Sequence, residues 1–262
     1  MIRAKKSLGQ NFLVDQNIIQ KIIGTADIEG KEILEVGPGT GNLTNEILKA
    51  NPKKLYLIEK DNELSISLKN KYNDKISLYN EDILNFNTQS LSKNKLTVFG
   101  NLPYNISTEI LCNWIINLTD ENCWFEELIL MFQKEVADRI IANYNTSAYG
   151  RLAILANWRL NIKKVCDISP ECFSPKPKVD SSLLYFVPKN NFVRIKDPKN
   201  IEKISRVFFS QRRKMLKKPY NQIFNGDQKI LDTLKIDLNL RPQNLNFDTY
   251  YQLTCEYEKL RS

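Results

Sequence analysis

The chain has 262 residues, 42% hydrophobic and 26% charged, which suits one sizeable α/β domain with a small satellite and excludes a disordered chain. It has no histidine, and its five cysteines (Cys112, Cys123, Cys166, Cys172 and Cys255) form no C-x-x-C pair. His-based triads and His-ligated metals are thereby excluded, no metal site is expected, and the thiols are expected to be free. The net charge of +8 is unevenly placed: residues 1–188 carry 22 basic and 22 acidic side chains, and residues 189–262 carry 16 and 8.

Met1-Ile2-Arg3-Ala4-Lys5-Lys6 leads into Ser7-Leu8-Gly9-Gln10 and not into an apolar run, so no secretory leader is read and a cytoplasmic location is expected. No stretch reaches the roughly eighteen apolar residues of a membrane span. Glu32–Val36 reads as a strand, followed by a Gly-rich turn and a helix over Thr44–Ala50. Lys54–Ile58 is a second strand with a helix through Tyr72, and Ile76–Tyr79 and Leu96–Phe99 are further strands. Ile106–Leu118 reads as a helix and Leu128–Phe132 as a buried strand. Val179–Val187 reads as a late strand, antiparallel at the sheet edge, and Pro188–Asn191 as a linker. Beyond it only helical patterns remain: Ile201–Phe209, Gln228–Leu234 and Tyr250–Leu260. The spacing predicts a doubly wound, mostly parallel sheet in residues 1–189 and an all-helical domain in 190–262. Ligands of such sheets sit at the carboxyl ends of the strands.

Three of those strand ends carry chemistry. Glu35-Val36-Gly37-Pro38-Gly39-Thr40-Gly41 follows strand one, where Gly37 and Gly39 let the backbone approach a ligand. Its G-x-G-x-G spacing is not the nicotinamide fingerprint, since position 42 is Asn; a merely structural turn is the alternative. Glu59 ends strand two, placed to accept from both hydroxyls of a ribose, while the adjoining Lys60 and Asp61 read as solvated charges. Asp82-Ile83 follows strand three, where the carboxylate can accept from an adenine amino group and Ile83 can cover the ring. Singly each of these acids reads more readily as a surface or capping residue than as a ligand contact; together with the turn they suggest an adenosine-containing ligand.

Strand four runs into Gly100-Asn101-Leu102-Pro103-Tyr104. An amine awaiting methylation needs hydrogen-bond acceptors, which the Asn101 amide oxygen and the Leu102 carbonyl can supply. Pro103 fixes the backbone without adding a donor, and Tyr104 offers a face on which an extracted base can stack. A Pro-containing turn with a core tyrosine is the alternative.

Asn101-Leu102-Pro103-Tyr104 resembles the amino-methyltransferase motif. With Gln10-Asn11-Phe12-Leu13 and Phe173-Ser174-Pro175-Lys176-Pro177-Lys178-Val179-Asp180-Ser181, the chain resembles the KsgA-type small-subunit ribosomal RNA adenine dimethyltransferases. Ala148-Tyr149-Gly150-Arg151-Leu152 and Gln211-Arg212-Arg213-Lys214 extend the likeness, which spans about Lys6 to Asp248. Met215 stands where the pattern leads one to expect Thr. The resemblance implies a Rossmann-like S-adenosylmethionine-dependent methyltransferase sheet with a small all-helical C-terminal domain. It implies cofactor contacts at Asn11, Leu13, Gly37, Glu59, Asp82 and Asn101, with Gly39 and Ile83 beside them. Asn101 and Tyr104 then belong to the base site, and Phe173 to its other face, unless Phe173 is a core aromatic held by Pro175 and Pro177.

The implied activity is dimethylation of two adjacent adenosines in a hairpin loop near the 3′ end of small-subunit rRNA, by a monomer, with a role in subunit biogenesis. The rivals are a large-subunit rRNA adenine methyltransferase of the macrolide-resistance type and a non-catalytic assembly factor on the same fold. DNA adenine methylation is weaker, because Asn101 stands where Asp is expected in many such enzymes. The basic tail suggests a polyanionic partner, small-subunit RNA, held through Arg212, Arg213, Lys214, Lys217 and Lys218; solvated surface charge is the alternative.

Overall fold

The computed structural model describes residues 4–5, 8–118 and 123–261. Met1–Arg3 and Lys6–Ser7, on which part of the leader reading and the start of the resemblance rest, lie outside them. Four segments with nearly continuous apolar character become buried parallel strands: β2 (Glu32–Val36), β3 (Lys54–Ile58), β5 (Leu96–Gly100) and β6 (Phe125–Gln133). Continuous burial is what a parallel strand covered on both faces demands. With β4 (Ser77–Tyr79), β7 (Leu160–Ile168) and β9 (Ser181–Pro188) they form a seven-stranded sheet in the order β4-β3-β2-β5-β6-β9-β7. Between successive parallel strands run α2 (Asn42–Lys49), α3 (Asn62–Tyr72) and α4 (Ser107–Ile116), as parallel crossovers require. The sheet is mostly parallel and Rossmann-like.

One expectation needs correction. The late strand β9 is antiparallel to β6, with Leu130 opposite Leu184, but it is not the edge. β7 lies beyond it. An edge strand need bury only part of its surface, and Asn161, Lys163, Lys164 and Asp167 break the apolar pattern by which a strand is recognised.

Near the N-terminus, β1 (Phe12–Leu13) pairs antiparallel with β8 (Phe173–Ser174), Phe12 opposite Ser174 and Leu13 opposite Phe173. Two motifs 160 residues apart thus share one ribbon. Helix α1 (Gln16–Ile23) follows, its N-terminus capped by Asp15.

Two compact units emerge: Met1–Trp114 with Leu118–Ala137 and Ile162–Pro188, and Ile115–Asn117 with Asp138–Asn161 and Lys189–Ser262. A single cut at residue 189 therefore misses one feature. The stretch 138–161, which takes in the end of α5 (Lys134–Ile140) and all of α6 (Arg151–Arg159), is bonded into the C-terminal part. Tyr251 donates to the Ile154 carbonyl (2.9 Å), and Trp158 Nε1 to that of Val193 (2.8 Å). The rest of this unit is helical: α7 (Lys199–Phe209), α8 (Lys217–Phe224), α9 (Gln228–Leu234) and α10 (Phe247–Lys259). Helix α8 is absent from the sequence-based reading, its lysines and Pro219 masking a short buried face; proline is tolerated in a first turn. No helix among the described residues is long and apolar enough to cross a membrane.

Candidate active site

The chain builds β3 and β4 on one side of β2, and β5 and β6 on the other. Connections leaving β2 and β5 diverge, opening a crevice at their carboxyl ends. Val36 lies opposite Gly100, so Gly37 and Asn101 emerge side by side. Gly37 has φ +69°, and a Cβ there would sit 3.3 Å from the Asn101 carbonyl oxygen. Gly39 has φ +58°, and a Cβ would strike Phe12 at 2.7 Å. Left-handed backbone and close approach both require glycine here.

The crevice opens to solvent and holds about 950 Å³ of space, that open solvent included. Asn11, Gly37, Gly39, Glu59, Asp82, Ile83 and Asn101–Tyr104 all line it. The structure thus gathers most of the residues proposed from sequence around one cleft.

Glu59 is 7% exposed. Its two carboxylate oxygens accept from the amides of Gly39 (3.1 Å) and Asp61 (2.9 Å). Burial raises its pKa, opposed by those two amides. The acid therefore braces the glycine turn as well as facing the cleft. Burial also works against ionisation of Asp82, but its bonds from Lys60 (2.6 Å) and the Leu84 amide (3.1 Å) outweigh it, leaving the carboxyl below its usual range. Beneath the turn, Glu35 is buried and accepts from the Thr44 hydroxyl at 2.7 Å. Burial pushes its carboxyl up to about 8.

Asn101 donates through Nδ2 to the Asn11 carbonyl at 2.9 Å. A carbonyl can only accept, so this bond fixes which way the amide points. Neither the Asn101 amide oxygen nor the Leu102 carbonyl has a donor among the described residues, and Pro103 brings none. Tyr104 shares a 2.5 Å hydrogen bond with the hydroxyl of buried Ser181. Burial raises its pKa, opposed by the Ser181 bond.

Two residues proposed from sequence are not brought to this cleft. Leu13 (5% exposed) and Phe173 (4%) belong to the hydrophobic core, facing each other in the β1–β8 ribbon. Leu13 borders a smaller hollow behind the glycine turn with Glu35 and Asn101. Phe173 packs as a core aromatic and presents no open face to a base.

The basic residues fall in the other unit. Arg212, Arg213 and Lys214 occupy a turn after α7, and Lys217 and Lys218 open α8. Arg212 is tied down, donating to Gln243 (3.2 Å) and to the Thr146 carbonyl (3.1 Å). The other four are exposed.

Residue-by-residue reading missed Ser181, Asp61 and Gln10. Ser181 had a signal, since it closes the Phe173–Ser181 motif, but nothing local names Tyr104 as its partner.

A family model for ribosomal RNA adenine dimethylase matches residues 1–259. The chain is 60% identical over 260 residues to the ribosomal RNA small subunit methyltransferase A of Pelagibacter ubique, covering 99% of each. Among solved structures, a dimethyladenosine transferase from Plasmodium falciparum superposes with a TM-score of 0.79 at 27% identity, covering 95% of this chain and 98% of that one. The 23S rRNA methyltransferase ErmE gives a TM-score of 0.69 at 22% identity over 96% of this chain and 100% of that one, a likeness of fold alone. The chain therefore belongs to the ribosomal RNA adenine dimethylase family.

Proposed function

We propose that this enzyme transfers methyl groups from S-adenosylmethionine to the exocyclic amines of two adjacent adenosines in a hairpin loop near the 3′ end of small-subunit rRNA. We place it in the cytoplasm, acting as a monomer during small-subunit biogenesis. The observation that carries the reading is the orientation of Asn101, whose nitrogen donates to the Asn11 carbonyl while its oxygen has no donor among the described residues.

The cleft fits the cofactor. Its glycine turn permits close approach, Glu59 suits the ribose hydroxyls, and Asp82 with Ile83 suits the adenine. When bound, S-adenosylmethionine supplies a methyl group already activated by its sulfonium. The Asn101 amide oxygen and the Leu102 carbonyl accept hydrogen bonds from the two N–H groups of the target amine and draw its lone pair out of conjugation with the ring. Pro103 holds the Leu102 carbonyl without adding a donor. Tyr104, pinned through Ser181, gives the extracted base a flat face. Gly37, Gly39, Glu59 and Asp82 would hold S-adenosylmethionine, Asn101 and Leu102 orient the amine that takes its methyl group, and the methylated amine would release its proton to water. No strong general base is required, which suits a chain without histidine. Position and charge matching are the protein's contribution.

The test is labelled methyl transfer to unmethylated small subunits, with large subunits in parallel and the modified nucleosides identified. Dimethyladenosine in the small subunit alone supports the reading. Label on the large subunit alone, or none, overturns it.

A further inference from the structure

Asp61 reads in sequence as a solvated charge beside Glu59, yet it is 3% exposed. One oxygen, Oδ1, caps α3 by accepting from the amides of Glu63 (2.9 Å) and Leu64 (3.2 Å). Capping needs no more than that: Asp227 caps α9 through Oδ1 alone, from Lys229 (2.8 Å) and Ile230 (3.3 Å). The second oxygen of Asp61 does something else. It accepts from Gln10 Nε2 at 3.2 Å and pairs with Lys5 Nζ at 2.9 Å. Gln10 Oε1 in turn accepts from the Lys5 amide at 2.7 Å. A buried carboxylate thereby reaches fifty-one residues back along the chain to hold one glutamine.

That glutamine adjoins the residue that orients the acceptor. The Asn11 carbonyl takes Asn101 Nδ2, and the Asn11 side chain donates to the Gly9 carbonyl at 3.2 Å. Beyond it, Phe12 and Leu13 are paired in the ribbon, and the Leu13 carbonyl accepts from Asn42 at 2.7 Å. Gln10 to Leu13 are therefore fixed one residue at a time, and on the Gln10 side the fixing comes from Asp61 together with the Lys5 amide. If the Asn11 carbonyl withdraws, the Asn101 amide loses the only bond that fixes its orientation among the described residues. Inverted, it would present two N–H donors to an amine that needs an acceptor.

We propose that Asp61 is a positioning residue for methyl transfer: through Gln10 it holds the Asn11 carbonyl, and so keeps the Asn101 oxygen turned to the amine. This rests on Asn101 as the amine's acceptor. Asp61 touches neither reacting atom. Its contribution is preorganisation, where small displacements are costly because transfer needs a narrow approach geometry.

The test uses the full chain, with single-turnover transfer to unmethylated small subunits and cofactor affinity measured by calorimetry. Asp61→Asn retains an oxygen for the α3 cap but places a donor against Gln10 Nε2. The rate is expected to fall roughly tenfold or more, since misplacement of about 1 Å can cost 10², while cofactor affinity stays within about threefold. Gln10→Ala leaves the cap untouched and is expected to show the same fall, so the inference survives or fails even if Asp61→Asn folds poorly. The decisive variant combines Asp61→Asn with Gln10→Glu, which exchanges donor and acceptor and rebuilds the bond. It is expected to recover to within about threefold of wild type, which a residue serving only as a cap would not do. Either single variant keeping half the wild-type rate, or a double variant no faster than Asp61→Asn, overturns the inference and leaves the proposed function standing. A wild-type chain without transfer overturns both.

Discussion

The cleft and the basic turn place their working side chains in opposite ways. At the cleft nearly every polar group is braced: Glu59 by two amides, Asn101 by a carbonyl, Tyr104 by Ser181. Around the turn, Arg213, Lys214, Lys217 and Lys218 are exposed, and Arg212 is the member with bonds into its own unit. Methyl transfer depends on fixed distances and directions, so geometry must exist before the substrate arrives. Attraction to a phosphate backbone is sequence-independent and needs no such fixed geometry. Bracing is concentrated at the proposed site of methyl transfer, and exposed charge at the proposed RNA contacts.

The cleft half of that contrast breaks most sharply at Asn101. Asn101→Ala removes the oriented acceptor and is expected to lower single-turnover transfer by about 10² or more, the usual loss for one preorganised electrostatic group, while the protein stays folded by circular dichroism. A variant retaining half the rate would show that the orientation has no catalytic consequence. Glu59→Ala is expected to weaken S-adenosylmethionine binding by about 1–3 kcal/mol, the cost of losing hydrogen bonds to a charged acceptor. It should also lower the melting temperature, because the Gly39 and Asp61 amides lose their acceptor. Calorimetry showing unchanged affinity would confine Glu59 to bracing the turn.

Tyr104 separates the ring from its brace. Tyr104→Ala should weaken RNA binding and transfer by about 1–3 kcal/mol, the worth of one stacked base, with cofactor affinity little changed. Tyr104→Phe keeps the face but leaves the Ser181 hydroxyl without its partner, so a stability loss of about 1 kcal/mol is expected with most of the rate retained. A Phe variant as inactive as Ala would mean that the brace itself governs the chemistry.

Glu35 tests the floor of the cleft by pH. Its carboxyl is raised to about 8 in the fold, above the ordinary value of about 4.3. The folded state therefore holds a proton that the unfolded chain releases. Its contribution to stability is fully present below about pH 4 and is lost as pH rises towards 8. Glu35→Gln, which cannot ionise, should melt several degrees above wild type at pH 9 and lose that advantage at pH 5. A difference independent of pH would mean the carboxyl is already ionised in the fold.

How much of this was legible follows from the same physics. The glycine turn, Glu59, Asp82 and the Asn101–Tyr104 run could be read because each directly follows a continuous apolar strand, and strand order alone brings strand ends together. β7 could not, since an edge strand with lysines in it lacks that signature. The two-residue β1 and β8 carry no periodicity at all. The braces were hidden for a different reason. Asp61 with Gln10 and Tyr104 with Ser181 are pairings over 51 and 77 residues, and only the fold supplies them. An aromatic in a proline-rich motif reads as a base-stacking face or as core, and Phe173 is buried opposite Leu13.

The smallest effects are expected at the basic turn, and they test whether the cations form one set. Read from sequence, Arg212, Arg213 and Lys214 are candidate phosphate ligands, with solvated surface charge as the alternative. In the structure Arg212 holds Gln243 and the Thr146 carbonyl, whereas Arg213 and Lys214 are exposed. Each phosphate contact releases counterions and steepens the log–log dependence of binding on salt by roughly 0.7 to 0.9. Replacing Arg213 and Lys214 by Gln should therefore flatten the slope for small-subunit binding by roughly 1.4 to 1.8. Arg212→Gln should leave the slope nearly unchanged and lower the melting temperature, because it releases two internal bonds. Cofactor affinity, measured in parallel, should move in neither. If Arg212→Gln flattens the slope as much as either neighbour does, its internal bonds yield to phosphate and the three act as one set. If the Arg213 and Lys214 replacement keeps the wild-type slope, the excess charge of the last 74 residues engages RNA elsewhere or not at all.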